Sequence, residues 1–414
     1  MRFLAKFSGR LRLPKVISIS KILLILFVML FIFGFVEFDQ DNLYSYQWGL
    51  KNNGNFIVGD TFLINNHTAS YFDKKTNDTM FFDRRDIVDY LTANGLAKDS
   101  MKANEGYDIK WEQGYNFFQN IEGGRETIVA LIDTGVDITH FELEDSIWIN
   151  EKEIKDNGID DDYNGYIDDI WGYNFNGKNN NVMPENRSEV HGTHAAGIIV
   201  ARHNNMGTKG IAYNENIKIM PLKVLDSNES GYMSSVIAAI NYAKNKGAKI
   251  CNISLGAYTY DYNIDQVIKN NPDMIFIVSA GNGMDYVGYS LDERDVYPAK
   301  LDYDNVITVS NAAFDGSKFV SANYGSYVDI FAPGTFILST APYNDFAYMT
   351  GTSMAAPFVS AVCAMIHCKF PNVPMKDYKK IIIEGASPVF SLEGMSKSKG
   401  LLNVYQSLVL ASEY

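Results

Sequence analysis

The sequence predicts an α/β protein built on a mainly parallel β-sheet with helices covering both faces. Short apolar runs recur through the chain after residue 126, separated by polar or helical stretches, as is typical of buried parallel strands. Residues 233–247 carry apolar side chains at helical spacing. With 414 residues, 46% of them hydrophobic, the chain can bury one large core. The predicted strands are 127–133, 217–225, 249–256, 274–282 and 305–310.

Composition narrows the classes of function. The chain has 36 Lys and Arg residues against 49 Asp and Glu, a net charge of −13. This excludes a nucleic-acid-binding protein, which needs a basic face, and we attribute the acidity to solubility. The three cysteines are too few for a disulfide framework. Cys251 lies in an apolar run, and Cys363 and Cys368 lie on a predicted helix, so we expect all three in the core.

The first forty residues have the pattern of a targeting segment. Six basic residues precede the first acid, and residues 22–36 are uninterruptedly apolar. That length suits a signal peptide, whereas extension over residues 16–36 gives the roughly 20 residues that span a bilayer. Because no small-residue cleavage site follows, we favour an uncleaved anchor over a removed signal. Either would place the remainder of the chain at the extracellular face.

Three polar residues occupy positions where parallel sheets carry their chemistry, beyond the carboxyl ends of strands. Asp133 ends the strand TIVALID, His191 begins the segment HGTHAAGIIVA, and Ser353 lies in GTSMAAPFVSAV. An imidazole can take the proton of a serine hydroxyl, and a carboxylate can fix the imidazole tautomer. These three residue types therefore indicate an activated serine nucleophile.

Two further features indicate stabilisation of an oxyanion. Ser353 precedes a small-residue helix, with Pro357 expected in its first turn, so free backbone N–H groups and the helix dipole would lie near the hydroxyl. Asn282, in the segment SAGNG, offers a side-chain N–H₂ group. Removing such a donor typically costs about 2.7–4 kcal/mol of transition-state stabilisation.

A metal is the alternative explanation for the histidines. His191 and His194 are three residues apart and share a helix face, as zinc ligands do. Zinc would need a third ligand and a base, and the sequence contains no HExxH motif. We therefore favour the serine hydrolase interpretation.

An acidic loop predicts a calcium site. Oxygen-bearing residues alternate around a glycine with the spacing of an EF-hand-type loop, although Trp171 stands where the final Glu would be. The alternative is a solvated acidic loop. The predicted ligands are Asp160, Asp162, Asn164, Tyr166 and Asp168.

The segments DTGVD, HGTHAAG, SAGNG and GTSMAAP, in this order, resemble the four signature segments of the subtilisin-like serine proteases. The similarity runs from about Gly106 to the C-terminus, and YSYQWGLKNNG at 44–54 resembles the start of the mature domain in some members. The resemblance implies a doubly wound, mainly parallel sheet. It also implies a structural Ca²⁺, which related proteins often use for stability, and no cofactor for catalysis.

Residue roles follow from the same resemblance. It implies Asp133 as the orienting acid, His191 as general base and acid, and Ser353 as nucleophile. Asn282 would be the oxyanion donor. Ser254, Leu255 and Gly256 on one edge and Gly231 on the other would bind a polypeptide as an added strand. Phe358 stands where many members carry His, from which we expect only a change in packing.

The expected organisation is a signal peptide or anchor at 1–40, a segment and insertion of unknown role at 41–105, and a catalytic domain at 106–414. A short helix is predicted at 83–94. Residues 55–105 can be interpreted in two ways: they act as an inhibitor or folding aid, or the catalytic domain folds without any such segment. We favour the second interpretation. The expected function is endopeptidase activity outside the cell. The alternatives are a calcium-stabilised binding protein without turnover, and dedicated processing of one secreted peptide.

Overall fold

The computed structural model describes residues 43–54, 68–73, 78–83, 103–283 and 287–414. The predicted targeting segment at 1–40 lies outside this range, as does the predicted helix at 83–94 beyond Asp83, which itself ends a strand. Within the described part of the chain, no helix combines the length and apolar character needed to cross a bilayer.

Strands and helices alternate through residues 191–279, and four further strands then follow one another before the next α-helix. The strands are β1 (Thr68–Asp73), β2 (Asp78–Asp83), β3 (Thr127–Asp133), β4 (Tyr173–Asn174), β5 (Ile217–Lys223), β6 (Ile250–Ile253), β7 (Ile275–Ser279), β8 (Val306–Ala312), β9 (Ile330–Pro333), β10 (Ile337–Ala341), β11 (Asp345–Met349), β12 (Ser387–Pro388) and β13 (Gly400–Leu401). The α-helices are α1 (Trp111–Gln119), α2 (His191–Val200), α3 (Met233–Asn245), α4 (Tyr262–Lys269), α5 (Thr352–Lys369), α6 (Tyr378–Glu384) and α7 (Val404–Ala411).

Nine strands form one sheet in the order β12-β13-β9-β8-β7-β6-β3-β5-β4. Every pairing in it is parallel except that of β12 with β13. The prediction of an α/β protein with a mainly parallel sheet is therefore confirmed. The pairs β1–β2 and β10–β11 are separate antiparallel hairpins.

Two hydrophobic clusters cover the two faces of the sheet. Successive residues of a strand point to opposite faces, so Val129 and Leu131 join the cluster packed by α2 and α5, whereas Ala130 and Ile132 join the one packed by α3 and α4. Because both faces are covered, β3 is buried along its whole length. This burial explains why the central strands are continuous apolar runs.

Three predicted strands end earlier than expected, and the first of them is β5, which was predicted to residue 225 but ends at Lys223. β6 ends at Ile253 and β7 at Ser279, so residues 254–256 and 280–282 leave the sheet as loops at its carboxyl edge. The three cysteines are buried and unpaired, as expected.

The segment at 43–54 packs into the same core as the central sheet. The indole N–H of buried Trp48 donates to the Thr335 carbonyl at 2.8 Å. A Cβ on Gly49 would lie 2.9 Å from the ring of Phe358, so this buried ring fits only against glycine. The Phe358 departure noted in the sequence thus lies in a packing contact, as predicted.

Candidate active site

Asp133 and His191 are joined at the carboxyl edge of the sheet. Asp133 is the last residue of β3 and His191 is the first of α2, and Nδ1 of the imidazole lies 2.7 Å from Oδ1 of the carboxylate. Both side chains are buried. The same carboxylate oxygen accepts the N–H of Thr134 at 2.7 Å. The Thr134 N–H thus holds the carboxylate, and the carboxylate in turn orients the imidazole.

Ser353 is the second residue of α5 and is bonded reciprocally to Ser254. Its hydroxyl donates to the Ser254 carbonyl at 3.0 Å, and the Ser254 hydroxyl donates to the Ser353 carbonyl at 3.0 Å. The helix begins at Thr352, so Pro357 lies in the second turn and not in the first, where we predicted it. Because proline has no N–H, the Ser353 carbonyl lacks its usual partner four residues on and is open to Ser254.

Asn282 and the backbone of Ser353 share one small space. The amide oxygen of Asn282 accepts the N–H of Thr352 at 3.2 Å, which orients the amide group. A Cβ built on Gly351 would lie 3.4 Å from Asn282 Nδ2 and 3.8 Å from the Ser353 nitrogen. Two N–H donors therefore flank the same point, as an oxyanion site requires.

One cleft, with a volume of about 310 Å³, contains most of the predicted residues. It is lined by His191, Ser353, Asn282, Ser254, Leu255 and Gly256. Gly231 is not itself among the lining residues, but it pairs with Leu225, which is. Glu229 and Tyr258 are among the lining residues that were not predicted from the sequence, and both belong to loops.

Comparisons with known proteins identify the family of this chain. A family model described as the subtilase family matches residues 124–405. This chain belongs to the subtilase family. It is 33% identical to Subtilisin-like protease 1 of Plasmodium falciparum over 304 residues, and the matched region covers 69% of this chain and 44% of that protein. Thermitase of Thermoactinomyces vulgaris is 30% identical over 292 residues, covering 70% of this chain and 91% of that protein.

A solved structure shows the same fold. The crystal structure of a cold adapted subtilisin-like serine proteinase matches this subtilase with a TM-score of 0.52 at 22% identity, covering 73% of this chain and 93% of that one. This subtilase spans less than half of the length of the first curated relatives it matches, 44% in the Plasmodium falciparum protein.

A buried ion pair lies beside the Asp133–His191 pair of this subtilase. Lys223 is the residue opposite Asp133 in the β3–β5 register, and its ammonium group bonds to the Glu189 carboxylate and the Thr134 carbonyl. Lys223 is 1% exposed and Glu189 2%. The Lys223–Glu189 pair connects the end of β5 to the loop that precedes His191. No sequence motif indicated it, because the two residues are 34 positions apart.

His194 has a different environment from His191. Its Nε2 donates to the carbonyls of Ile337 and Ala347 at 2.9 and 3.0 Å. Burial lowers the pKa of His194 to about 3, so the ring is neutral near pH 7. His194 therefore connects the β10–β11 hairpin to α2 through its Nε2.

The acidic loop brings two of the five predicted calcium ligands together. Carboxylate oxygens of Asp160, Asp162 and Glu153 lie within 4.8 Å of one another. Glu153 was not predicted, because it precedes the loop motif. Within the described part of the chain, Oδ1 of Asp162 is buried without a hydrogen-bond partner, while Oδ2 pairs with Lys246.

The remaining predicted ligands make local bonds. Asn164 accepts the N–H of Tyr166 at 2.7 Å, and the Asp168 carboxylate accepts the N–H groups of Asn157 and Gly158, each at 3.1 Å. Burial raises the pKa of Glu153, and the neighbouring carboxylates add to that shift. Three neighbouring carboxylates, of which Glu153 has a raised pKa and Asp162 has an unpartnered buried oxygen, fit a hard cation.

Proposed function

We propose that this subtilase is a serine endopeptidase that hydrolyses peptide bonds in extracellular proteins or peptides. The observation that carries the proposal is the 2.7 Å contact of Asp133 with His191, which lines the same cleft as Ser353 and Asn282. The reacting groups all belong to the chain itself, so the chemistry calls for no cofactor.

Each of the four proposed catalytic residues has a separate role in acyl transfer. His191 accepts the proton of the Ser353 hydroxyl as Oγ attacks the substrate carbonyl carbon, and Asp133 stabilises the resulting imidazolium. The oxyanion accepts hydrogen bonds from Asn282 Nδ2 and the Ser353 N–H. His191 then gives its proton to the leaving amine as the C–N bond breaks. A water molecule, deprotonated by His191, hydrolyses the acyl-serine ester and restores the hydroxyl.

The substrate would bind as an extended strand. Residues 254–256 line the cleft, and so does Leu225, which pairs with Gly231, and this supports binding of an extended chain between the two edges. A substrate N–H that donates to the Ser254 carbonyl would replace the Ser353 hydroxyl there. Substrate binding would then free the nucleophile to turn towards His191.

A covalent probe tests the proposed activity. We expect a fluorophosphonate to label the wild type and Asn282→Ala, but not Ser353→Ala, and we expect the wild type alone to cleave a peptide library rapidly. The cleavage profile would also separate general degradation from dedicated processing of one peptide. Equal labelling of wild type and Ser353→Ala would contradict the proposal, and labelling without turnover would favour a binding protein.

We also propose that Glu153, Asp160 and Asp162 hold a structural Ca²⁺. The ion would supply the positive charge that three neighbouring carboxylates need. We expect a calcium chelator to lower the melting temperature of the wild type and of Asp156→Asn, an exposed carboxylate in the same loop, but to have little effect on Asp160→Asn. An unchanged melting temperature in the wild type would favour a solvated acidic loop.

For location, we propose that the basic and apolar segment at 1–40 directs the chain to the extracellular face. An uncleaved anchor through residues 16–36 should keep the protein in membranes after alkaline carbonate extraction. Release into the extract, with an N-terminus beyond residue 36, would show instead that the segment is a removed signal.

A further inference from the structure

We infer that the cleft contains a subsite for a cationic side chain of the substrate, formed by Glu229 and Tyr258. The inference rests on the proposed peptidase function, because it assigns the ligand of that same cleft to a chemical class. It would make Lys or Arg near the cleaved bond a determinant of cleavage.

The charge of the cleft is the first argument. Among the described residues that line it, Glu229 is the single carboxylate, and none is Lys or Arg. Apart from His191 and Tyr258, none of the other described lining residues has an ionisable side chain. A cationic group entering the cleft therefore meets attraction from Glu229 and no Lys or Arg among these described lining residues, whereas an anionic group is repelled.

The position of Glu229 is fixed by a tight turn. Oδ1 of Asp226 accepts the N–H groups of Asn228 and Ser230, at 2.9 and 3.0 Å, and the Glu229 N–H donates to the Asp226 carbonyl at 3.0 Å. Glu229 itself has a left-handed backbone with φ of 57°, which is uncommon for a residue other than glycine. This turn leads into Gly231, so Glu229 stands at one proposed substrate edge.

Tyr258 stands at the opposite edge. It follows the segment at 254–256, and the residue is 56% exposed. Within the described part of the chain, no aromatic ring or cation contacts the Tyr258 ring. An extended substrate between the two edges would have a side chain within reach of both. A carboxylate together with an aromatic face suits a guanidinium or ammonium group, which binds both.

Binding to an inactive variant tests the subsite apart from turnover. Peptides bound to Ser353→Ala would carry either Arg or its uncharged analogue citrulline at one of eight positions spanning the cleaved bond. We expect Arg to bind about five- to tenfold more tightly at one position, since that is the size of one ion pair plus one cation–π contact. The preference should shrink as salt is raised.

Three variants in the Ser353→Ala background assign the preference. We expect Glu229→Gln to abolish it, Tyr258→Leu to reduce it, and the remote surface variant Glu384→Gln to leave it unchanged. Equal binding of Arg and citrulline peptides at every position would overturn the inference, as would a preference that survives Glu229→Gln. Failure of the wild type to cleave any peptide would instead contradict the peptidase proposal, whatever the binding result.

Discussion

Among single residues, Gly351 controls the space between the two proposed oxyanion donors. Its φ of 163° is an extended conformation that any residue adopts, so Gly351→Ala should fold normally. The added methyl group would lie 3.4 Å from Asn282 Nδ2 and occupy part of the space that an oxyanion needs. We expect kcat for a peptide to fall by at least about tenfold, approaching the effect of losing a donor.

Asn282→Ala is the reference for that measurement, since it removes one donor outright. A Gly351→Ala variant with wild-type kcat would show that the oxyanion lies elsewhere. Melting curves of both variants would verify that the loss of activity is not a loss of fold.

His194 should make the free energy of unfolding sensitive to pH. The unfolded chain protonates this ring near pH 6.5, whereas burial lowers the pKa in the folded chain to about 3. Acid therefore favours the unfolded state, and stability present above pH 6.5 is lost as the pH falls. Each pH unit below 6.5 should cost about 1.4 kcal/mol.

Urea denaturation at pH 7 and pH 5 measures this effect. We expect His194→Gln to be less stable than the wild type at pH 7, but to lose about 2 kcal/mol less on going to pH 5. Burial also lowers the pKa of His367, to about 4. His367 contributes the same pH dependence to the stability of both proteins, so its effect cancels in the comparison. Identical losses would show that His194 protonates equally in both states.

At the level of elements, the Lys223–Glu189 pair connects β5 to the segment before α2. Both side chains are buried, so Lys223→Met would leave a carboxylate unpaired and Glu189→Gln an ammonium group. We expect each variant to lower the free energy of unfolding by about 3–5 kcal/mol, and the double variant to lose much less than the sum. Denaturant titrations of the wild type, the two single variants and the double variant complete a double-mutant cycle. A loss in the double variant equal to the sum of the single losses would contradict a coupled pair.

For the whole molecule, the described segment at 43–54 behaves as part of the catalytic fold. Trp48 is 1% exposed and lies edge-on to Phe314 with ring centroids 5.9 Å apart. We expect Trp48→Ala to lower the free energy of unfolding by about 3–5 kcal/mol. Lys51→Ala, which removes an exposed ion pair with Glu112, should cost less than about 1 kcal/mol. Equal effects would mean that the segment is dispensable for stability.

The sheet, and the positions of the three proposed catalytic residues at element ends, could be predicted from sequence because both depend on local patterns. β3 spans the apolar run that predicted it, and Asp133, His191 and Ser353 each lie at an element end. Strand ends were less accurate, since residues 254–256 stay apolar or small after the ladder stops. Contacts between distant parts of the chain, such as Lys223 with Glu189, leave no local pattern to detect.

The reciprocal bonds between Ser254 and Ser353 have a consequence for inhibitors. A compound with a backbone-like amide can displace the Ser353 hydroxyl from the Ser254 carbonyl when it binds. A small sulfonyl fluoride has no such amide, so the hydroxyl must first rotate away from the carbonyl by itself. Peptidyl warheads should therefore inactivate faster than small reagents of equal intrinsic electrophilicity. The ratio of the two inactivation rates would measure how strongly the hydrogen bond to the Ser254 carbonyl holds the Ser353 hydroxyl in the free protein.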